Sequence, residues 1–294
     1  EFDVQRPKML ALCSGAPAQP IPLEAADLVS RVERVKARIQ SATFTGKGDA
    51  EKVPQLYTDY VSRIADTLQP LLAVATTKAA VQLPSMPEGG ASDDDVLAWH
   101  LEVMRLQHAS IIDVLSGKRL DTRTECVQMA LEGKGADGQP LDVRNVQALS
   151  AWLPRTSTGA LLTAGPAAGK TWLLSQVVMH SLDGELVPIL VEVQRLQKAL
   201  AEHEAAFEEA PDWVDAYLRV TCKPAHYRVL HSAMAERRAL LLLDGLDEAG
   251  RERARIEAHI ATILAPRGFV LLCTSRPTGL DEALFTGFHR LTLA

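Results

Sequence analysis

The feature that most constrains this chain is a set of five short β-favouring runs, ALLTA, VPILVEV, ALLLLD, FVLLCTS and finally HRLTLA, the first four apolar over most of their length. They follow one another from Gly159 onward, separated by stretches of helical period. A strand that is wetted on one face alternates apolar with polar residues, whereas a strand that is apolar throughout must be covered on both faces. Intervening helices supply that cover. Residues 141–294 are therefore expected to form an α/β domain built on a parallel sheet with flanking helices.

Residues 1–140 read differently, as an all-helical region. Leu28, Val32, Val35 and Ile39 recur at helical spacing, with Arg31, Glu33, Arg34, Lys36 and Arg38 on the other faces. After the Gly46 to Asp49 loop, Tyr57, Tyr60, Val61, Ile64, Leu68, Leu71 and Leu72 continue the period through a second helix kinked at Pro70. Ser92 followed by Asp93, Asp94 and Asp95 predicts a capped helix start, where a hydroxyl and negative charge are favoured. A metal site made of the three carboxylates is the alternative. Leu97, Leu101, Met104, His108, Ile111 and Leu115 form a third stripe, which places His108 at a core boundary rather than on a ligand. The Gly- and Asp-rich segment Glu132 to Pro140 predicts a loop and the boundary between the two regions.

Composition excludes several classes. With 47% hydrophobic and 23% charged residues the chain is globular rather than disordered, and its net charge of -6 argues against a generally basic nucleic-acid or membrane-surface binder. Cys13, Cys126, Cys222 and Cys273 are too widely spaced for a zinc knuckle or a redox pair, which fits a reducing cytoplasm. No apolar run approaches the roughly 20 residues that span a bilayer. MLALCSGA, the nearest thing to a signal-peptide core, is too short. The chain opens Glu1-Phe2-Asp3 without a methionine and reads as a piece excised from a longer protein.

The sharpest local signal is ALLTAGPAAGKTWLL. A strand over Ala160 to Thr163, a turn of small residues (Ala164, Gly165, Pro166, Ala167, Ala168 and Gly169) and a helix from Thr171 onward would converge backbone N–H groups on phosphate oxygens. Small residues let the backbone approach closely. Lys170 would reach the β- and γ-phosphates, and the Thr171 hydroxyl would bind Mg²⁺. Ala164 replaces the first glycine of the strict GxxxxGK[ST] pattern, so this is its looser form. An ordinary strand-turn-helix connection with an exposed lysine is the alternative.

ALLLLDGLDEAG, Ala239 to Gly250, decides between them. Asp244 ends a leucine strand, where a P-loop fold holds Mg²⁺ through water. Gly245 is expected to leave room beside the nucleotide, and Asp247 and Glu248 to orient or activate the attacking water. For Glu248 alone, a turn or helix cap competes. At the end of the next strand, Thr274, Ser275 and Arg276 can sense or neutralise γ-phosphate charge, with a surface arginine before Pro277 as the alternative.

On AGPAAGKT, LLLLDGLDE and TSRP, in that order, roughly the second half of the chain resembles the NACHT family of signal-transduction NTPases, within the STAND class of P-loop switches. The resemblance implies an ATP-favouring switch with slow Mg²⁺-dependent hydrolysis, in which ATP or ADP controls opening and self-assembly. On that pattern Ala164 to Thr171 bind nucleotide, Thr171 and Asp244 hold Mg²⁺, and Asp247, Glu248 and Arg276 are catalytic. Ala164 and Ala167 depart from it, standing where such loops commonly carry glycine. The helical and winged-helix modules that close over the nucleotide, with a histidine on the β-phosphate, would lie beyond Ala294. Protein partners are expected through the helical first half and those modules, with neither nucleic acid nor membrane. The competing classes are an interaction scaffold with a structural or inactive nucleotide site, and a GTP-preferring switch; the chain has no NKxD-type base-reading motif.

His180, His203, His226, His231, His259 and His289 share no ligand spacing and are expected at the surface or in packing. Arg251 to Ile260 predicts the solvated face of a helix. Trp172 is expected to pack its helix on the sheet or to border the nucleotide.

Overall fold

The computed structural model describes residues 83–112, 119–125, 129–156, 158–165, 168–278 and 280–293. The chain divides into two compact units, residues 1–82 with 112–120 and residues 83–111 with 121–294, and the second holds the sheet. The stripes expected over Leu28 to Ile39 and Tyr57 to Leu72, together with Cys13, Leu115, Cys126, Pro166 and Ala167, lie outside the described residues.

Seven strands build the sheet: β1 (Leu131–Lys134), β2 (Pro140–Leu141), β3 (Ala160–Thr163), β4 (Val187–Glu192), β5 (Ala239–Asp244), β6 (Val270–Ser275) and β7 (His289–Leu293). Their order is β2-β1-β7-β3-β6-β5-β4. The five runs are the five mutually parallel strands, and β1 pairs antiparallel with both β7 and β2. Among the described residues the α-helices are α1 (Asp93–His108), α2 (Val146–Trp152), α3 (Lys170–Ser181), α4 (Val193–Glu202), α5 (Glu204–Glu208), α6 (Trp213–Thr221), α7 (Pro224–Ala235) and α8 (Arg253–His259).

Leucine repeats in β5 because both faces are covered. Successive side chains of a strand point to opposite faces, and Leu241 and Leu243 enter one core while Leu240 and Leu242 enter another. The first core takes Leu196 and Leu200 of α4, Val214 of α6 and Leu230 of α7. The second takes Leu149 of α2 with Leu173, Leu174 and Val177 of α3. Cys222 and Cys273 are free thiols, and burial pushes both upward. No helix among the described residues is long and apolar enough to cross a membrane.

Two sequence expectations meet a different arrangement. The loop and boundary expected over Glu132 to Pro140 fall inside the sheet, since Leu131 to Lys134 pair with Leu293 to Arg290. Only the turn between β1 and β2 matches, closed by the Gly135 N–H donating to Gln139 O at 2.7 Å. Gly and Asp mark a hairpin turn as readily as a linker, and β1 has a single buried apolar residue, Leu131, to betray it. Of the stripe expected on Leu97, Leu101 and Met104, Leu97 and Met104 pack half-buried against the cores, and the deepest positions lie one residue earlier. Val96, His100 and Val103 are the buried residues of α1, because His100 turns inward to hydrogen-bond Pro188 of β4 and His226 of α7.

The helix start is a capping box. Ser92 Oγ accepts from Asp95 N at 3.2 Å and Ser92 N donates to Asp95 Oδ2 at 3.1 Å. The Ser92 hydroxyl also donates to Asp95 Oδ2 at 2.7 Å, and this bond first, then that from Ser92 N, holds the Asp95 carboxyl below its ordinary value. Asp93 pairs with Arg228 of α7, and no metal-holding group of His, Cys, Asp and Glu occurs among the described residues. The run Arg251 to Ile260 is helical mainly in α8, and it buries Ile256, Glu257 and Ile260. Glu257 is paired there with Arg253 at 2.6 Å.

Candidate functional site

Parallel strands place their C-terminal ends on one rim, and three of them deliver the polar residues. The β3–β6 register sets Thr163 opposite Ser275, and the β5–β6 register sets Leu243 opposite Cys273. The loop after β3, Asp244 and Arg276 therefore leave the sheet side by side. Such a rim is where open α/β sheets bind ligands.

The loop after β3 opens with Ala164 N donating to Ser275 O at 3.2 Å. It closes at Gly169, which caps α3 in the left-handed region at φ 91°, a conformation glycine adopts without steric cost. A Cβ there would also sit 3.0 Å from Met129 Sδ. Helix α3 begins at Lys170, one residue earlier than expected. The N–H groups of a first helical turn lack intrahelical partners and, with the helix dipole, attract anions.

Lys170 folds back over the loop, its Nζ donating to the carbonyl oxygens of Ala164 and Gly165 at 3.0 Å each. Partial burial pulls its pKa down; Asp247, Asp244 and Glu248 oppose that shift and Arg276 reinforces it. Thr171 Oγ1 donates to Asp244 Oδ2 at 2.9 Å. Thr274 Oγ1 donates to the other oxygen, Oδ1, at 2.6 Å while accepting from Gly245 N at 2.9 Å. One carboxylate thus ties the helix after the loop to two neighbouring strands.

Asp247 and Glu248, both in a short 3₁₀ turn after β5, part company. Asp247 is engaged by Arg276 through both oxygens: Oδ1 accepts the backbone N–H at 3.0 Å, and Oδ2 lies 2.9 Å from Nε. The Glu248 carboxyl packs against Gly245, where a Cβ would lie 3.2 Å from Glu248 Cδ. Gly245 is left-handed at φ 78°, so the room its missing side chain provides is taken by Glu248. Burial first, then the charges of Asp247 and Asp244, push the Glu248 pKa up.

The rim thus brings together Ala164, Gly165, Gly169, Lys170, Thr171, Asp244, Asp247, Glu248 and Arg276, with Ala168 turning back on Gly165. A hydroxyl and a carboxylate are hard oxygen donors of the kind Mg²⁺ takes alongside water and phosphate. Thr171 and Asp244 fit that ion on donor chemistry.

Two residues carried weaker signals. The Thr274 hydroxyl grips Asp244, although a threonine at a strand end reads only as a generic polar group. Met129 reaches Gly169 from the segment before β1, and a lone methionine between loop residues gives no sign of this. Trp172 is half-buried, with its indole Nε1 lacking an acceptor among the described residues. His289 acts in packing, accepting from Ala136 N and bonding Thr156 Oγ1. No protein-family model matches the chain, and no curated protein matches it.

Proposed function

We propose that the chain carries an ATP-favouring regulatory switch module of the NACHT-like P-loop kind, with slow Mg²⁺-dependent hydrolysis, serving a larger signalling protein. One observation carries the reading: the hydroxyl after Lys170 is bonded directly to the carboxylate that ends the leucine strand. Residues 73 positions apart in sequence meet there, and both are of the types that P-loop chemistry requires.

On this reading the first turn of α3 and Lys170 bind the nucleotide phosphates, and Lys170 exchanges the carbonyls of Ala164 and Gly165 for phosphate oxygens. Thr171 and Asp244 would hold Mg²⁺, which when bound supplies positive charge to those oxygens. Glu248 orients the attacking water and takes up its proton. Its raised pKa brings it closer to neutral pH than an ordinary glutamate, as a general base requires. Arg276 offers positive charge to the outermost phosphate.

Single-turnover phosphate release, beside ATP and GTP competition for binding, tests the reading. Slow release that requires Mg²⁺, with ATP the stronger competitor, is expected. Tight binding with no release would make this a structural nucleotide site on a scaffold, and stronger GTP binding would reassign the base preference.

A further inference from the structure

We propose that Asp247 is a positioning residue, whose carboxylate holds Arg276 so that its terminal guanidinium nitrogens face the outermost phosphate of a bound nucleoside triphosphate. The inference rests on the nucleotide reading above and deepens it, by giving the two adjacent acids different work.

The geometry separates them. Asp247 spends one oxygen on the Arg276 backbone N–H, which fixes where the residue leaves β6, and sets the other 2.9 Å from Nε in an ion pair, which anchors the near side of the guanidinium. The Asp247 side chain is only 11% exposed and that of Arg276 37%, so the carboxylate that grips is the more buried partner. A guanidinium carries five N–H donors in a rigid fork. With Nε committed, the donors on Nη1 and Nη2 have no protein acceptor among the described residues. They are the pair suited to bidentate recognition of phosphate.

A carboxylate with both oxygens committed is poorly placed to take a proton from water. Glu248 has no hydrogen-bond donor on its carboxyl among the described residues, and its neighbours Asp244 and Asp247 favour its neutral form. Water activation therefore falls to Glu248, and the recognition of the third phosphate to the Asp247–Arg276 pair. Asp247 acts through the arginine and does not touch the ligand.

The test uses the full chain, with isothermal titration of Mg-ADP and of a non-hydrolysable β,γ-imido ATP analogue. Wild type is expected to prefer the triphosphate. Asp247→Asn and Arg276→Ala should each reduce that preference by about tenfold, the scale of one charge-assisted hydrogen bond, while ADP affinity stays within about twofold. The double variant should lose no more than either single one, because the two residues act as a unit. Arg276→Lys should behave like Arg276→Ala, since an ammonium cannot be held at Nε and reach outward as well; this arm stands even if Asp247→Asn misfolds. Glu248→Gln should keep the preference and lose turnover. Equal loss of ADP and analogue in Asp247→Asn, or additive losses in the double variant, would overturn the positioning role alone. A wild-type protein that binds neither nucleotide would overturn both it and the nucleotide reading.

Discussion

The sheet rim and the place where α1 meets α7 both bury polar side chains, yet they differ in how those groups are partnered. Against α1, His100 donates Nε2–H to Pro188 O at 2.9 Å. That fixes its tautomer, so Nδ1 must accept from His226 Nε2–H at 3.0 Å. Each of these donors has one acceptor, and burial disfavours a charge on either ring. Burial holds His100 below its ordinary value, and burial together with His100 pulls His226 down to about 4. At the rim, three carboxylates crowd one lysine and one arginine, and burial with the neighbouring acids pushes Glu248 up, so that like charges compete there and Glu248 has no matched partner among the described residues. A region that only holds the fold together matches its polar groups and neutralises them. The rim keeps like charges close, an arrangement that disfavours folding and that the proposed nucleotide and its cation would use.

The largest effect should come from Glu248→Gln, expected to slow phosphate release by about 100-fold, the scale of a lost general base, with ATP affinity unchanged. The same change should raise Tm by about 1–2 °C at neutral pH, because it removes a charge that the folded state disfavours. A fall in Tm would show that Glu248 is a structural acid and erase the contrast between the regions.

His226→Phe should do the reverse. It leaves His100 Nδ1 buried without a donor, costing about 1–3 kcal/mol in denaturant unfolding, while ATP affinity stays unchanged. Loss of affinity would mean that the two regions are coupled.

Acid sharpens the contrast further. A histidine whose folded pKa lies below its unfolded value contributes stability that is complete above that value, and the unfolded chain takes up protons first as pH falls. The contribution of His226 should be lost between pH 6.5 and about 4, and that of His259, also pulled down to about 4 by burial, in the same window. Wild-type Tm should drop over that range, and less steeply in His226→Phe; parallel curves would remove His226 from the acid response. The smallest effect is expected at the exposed Asp93–Arg228 pair, where both side chains are more than half exposed. Asp93→Asn should shift Tm by less than about 1 °C.

How much of this was legible follows from where the information lies. β3 to β7 are β-favouring runs long enough to carry their own signal, and the capping box of Ser92 and Asp95 is local. Asp244 and Thr171 could be expected on one rim because the register of parallel strands leaves few places for a strand-end acid. β1 was not legible, since Leu131 to Lys134 owe their extended form to pairing with β7. The inward turn of His100 depends on Pro188 and His226, which no helical period reveals. Neighbouring acids look alike in a sequence, and only the contacts of Arg276 distinguish Asp247 from Glu248.

The central claim is that this rim binds nucleotide phosphates through Lys170, and equilibrium binding of Mg-ATP to wild type and Lys170→Ala tests it most directly. Measurable wild-type affinity that falls by about 100-fold in the variant is expected, since an ammonium on two phosphates is worth about two charge-assisted bonds. The variant's circular dichroism should match wild type. Equal affinity in the two proteins would contradict the account.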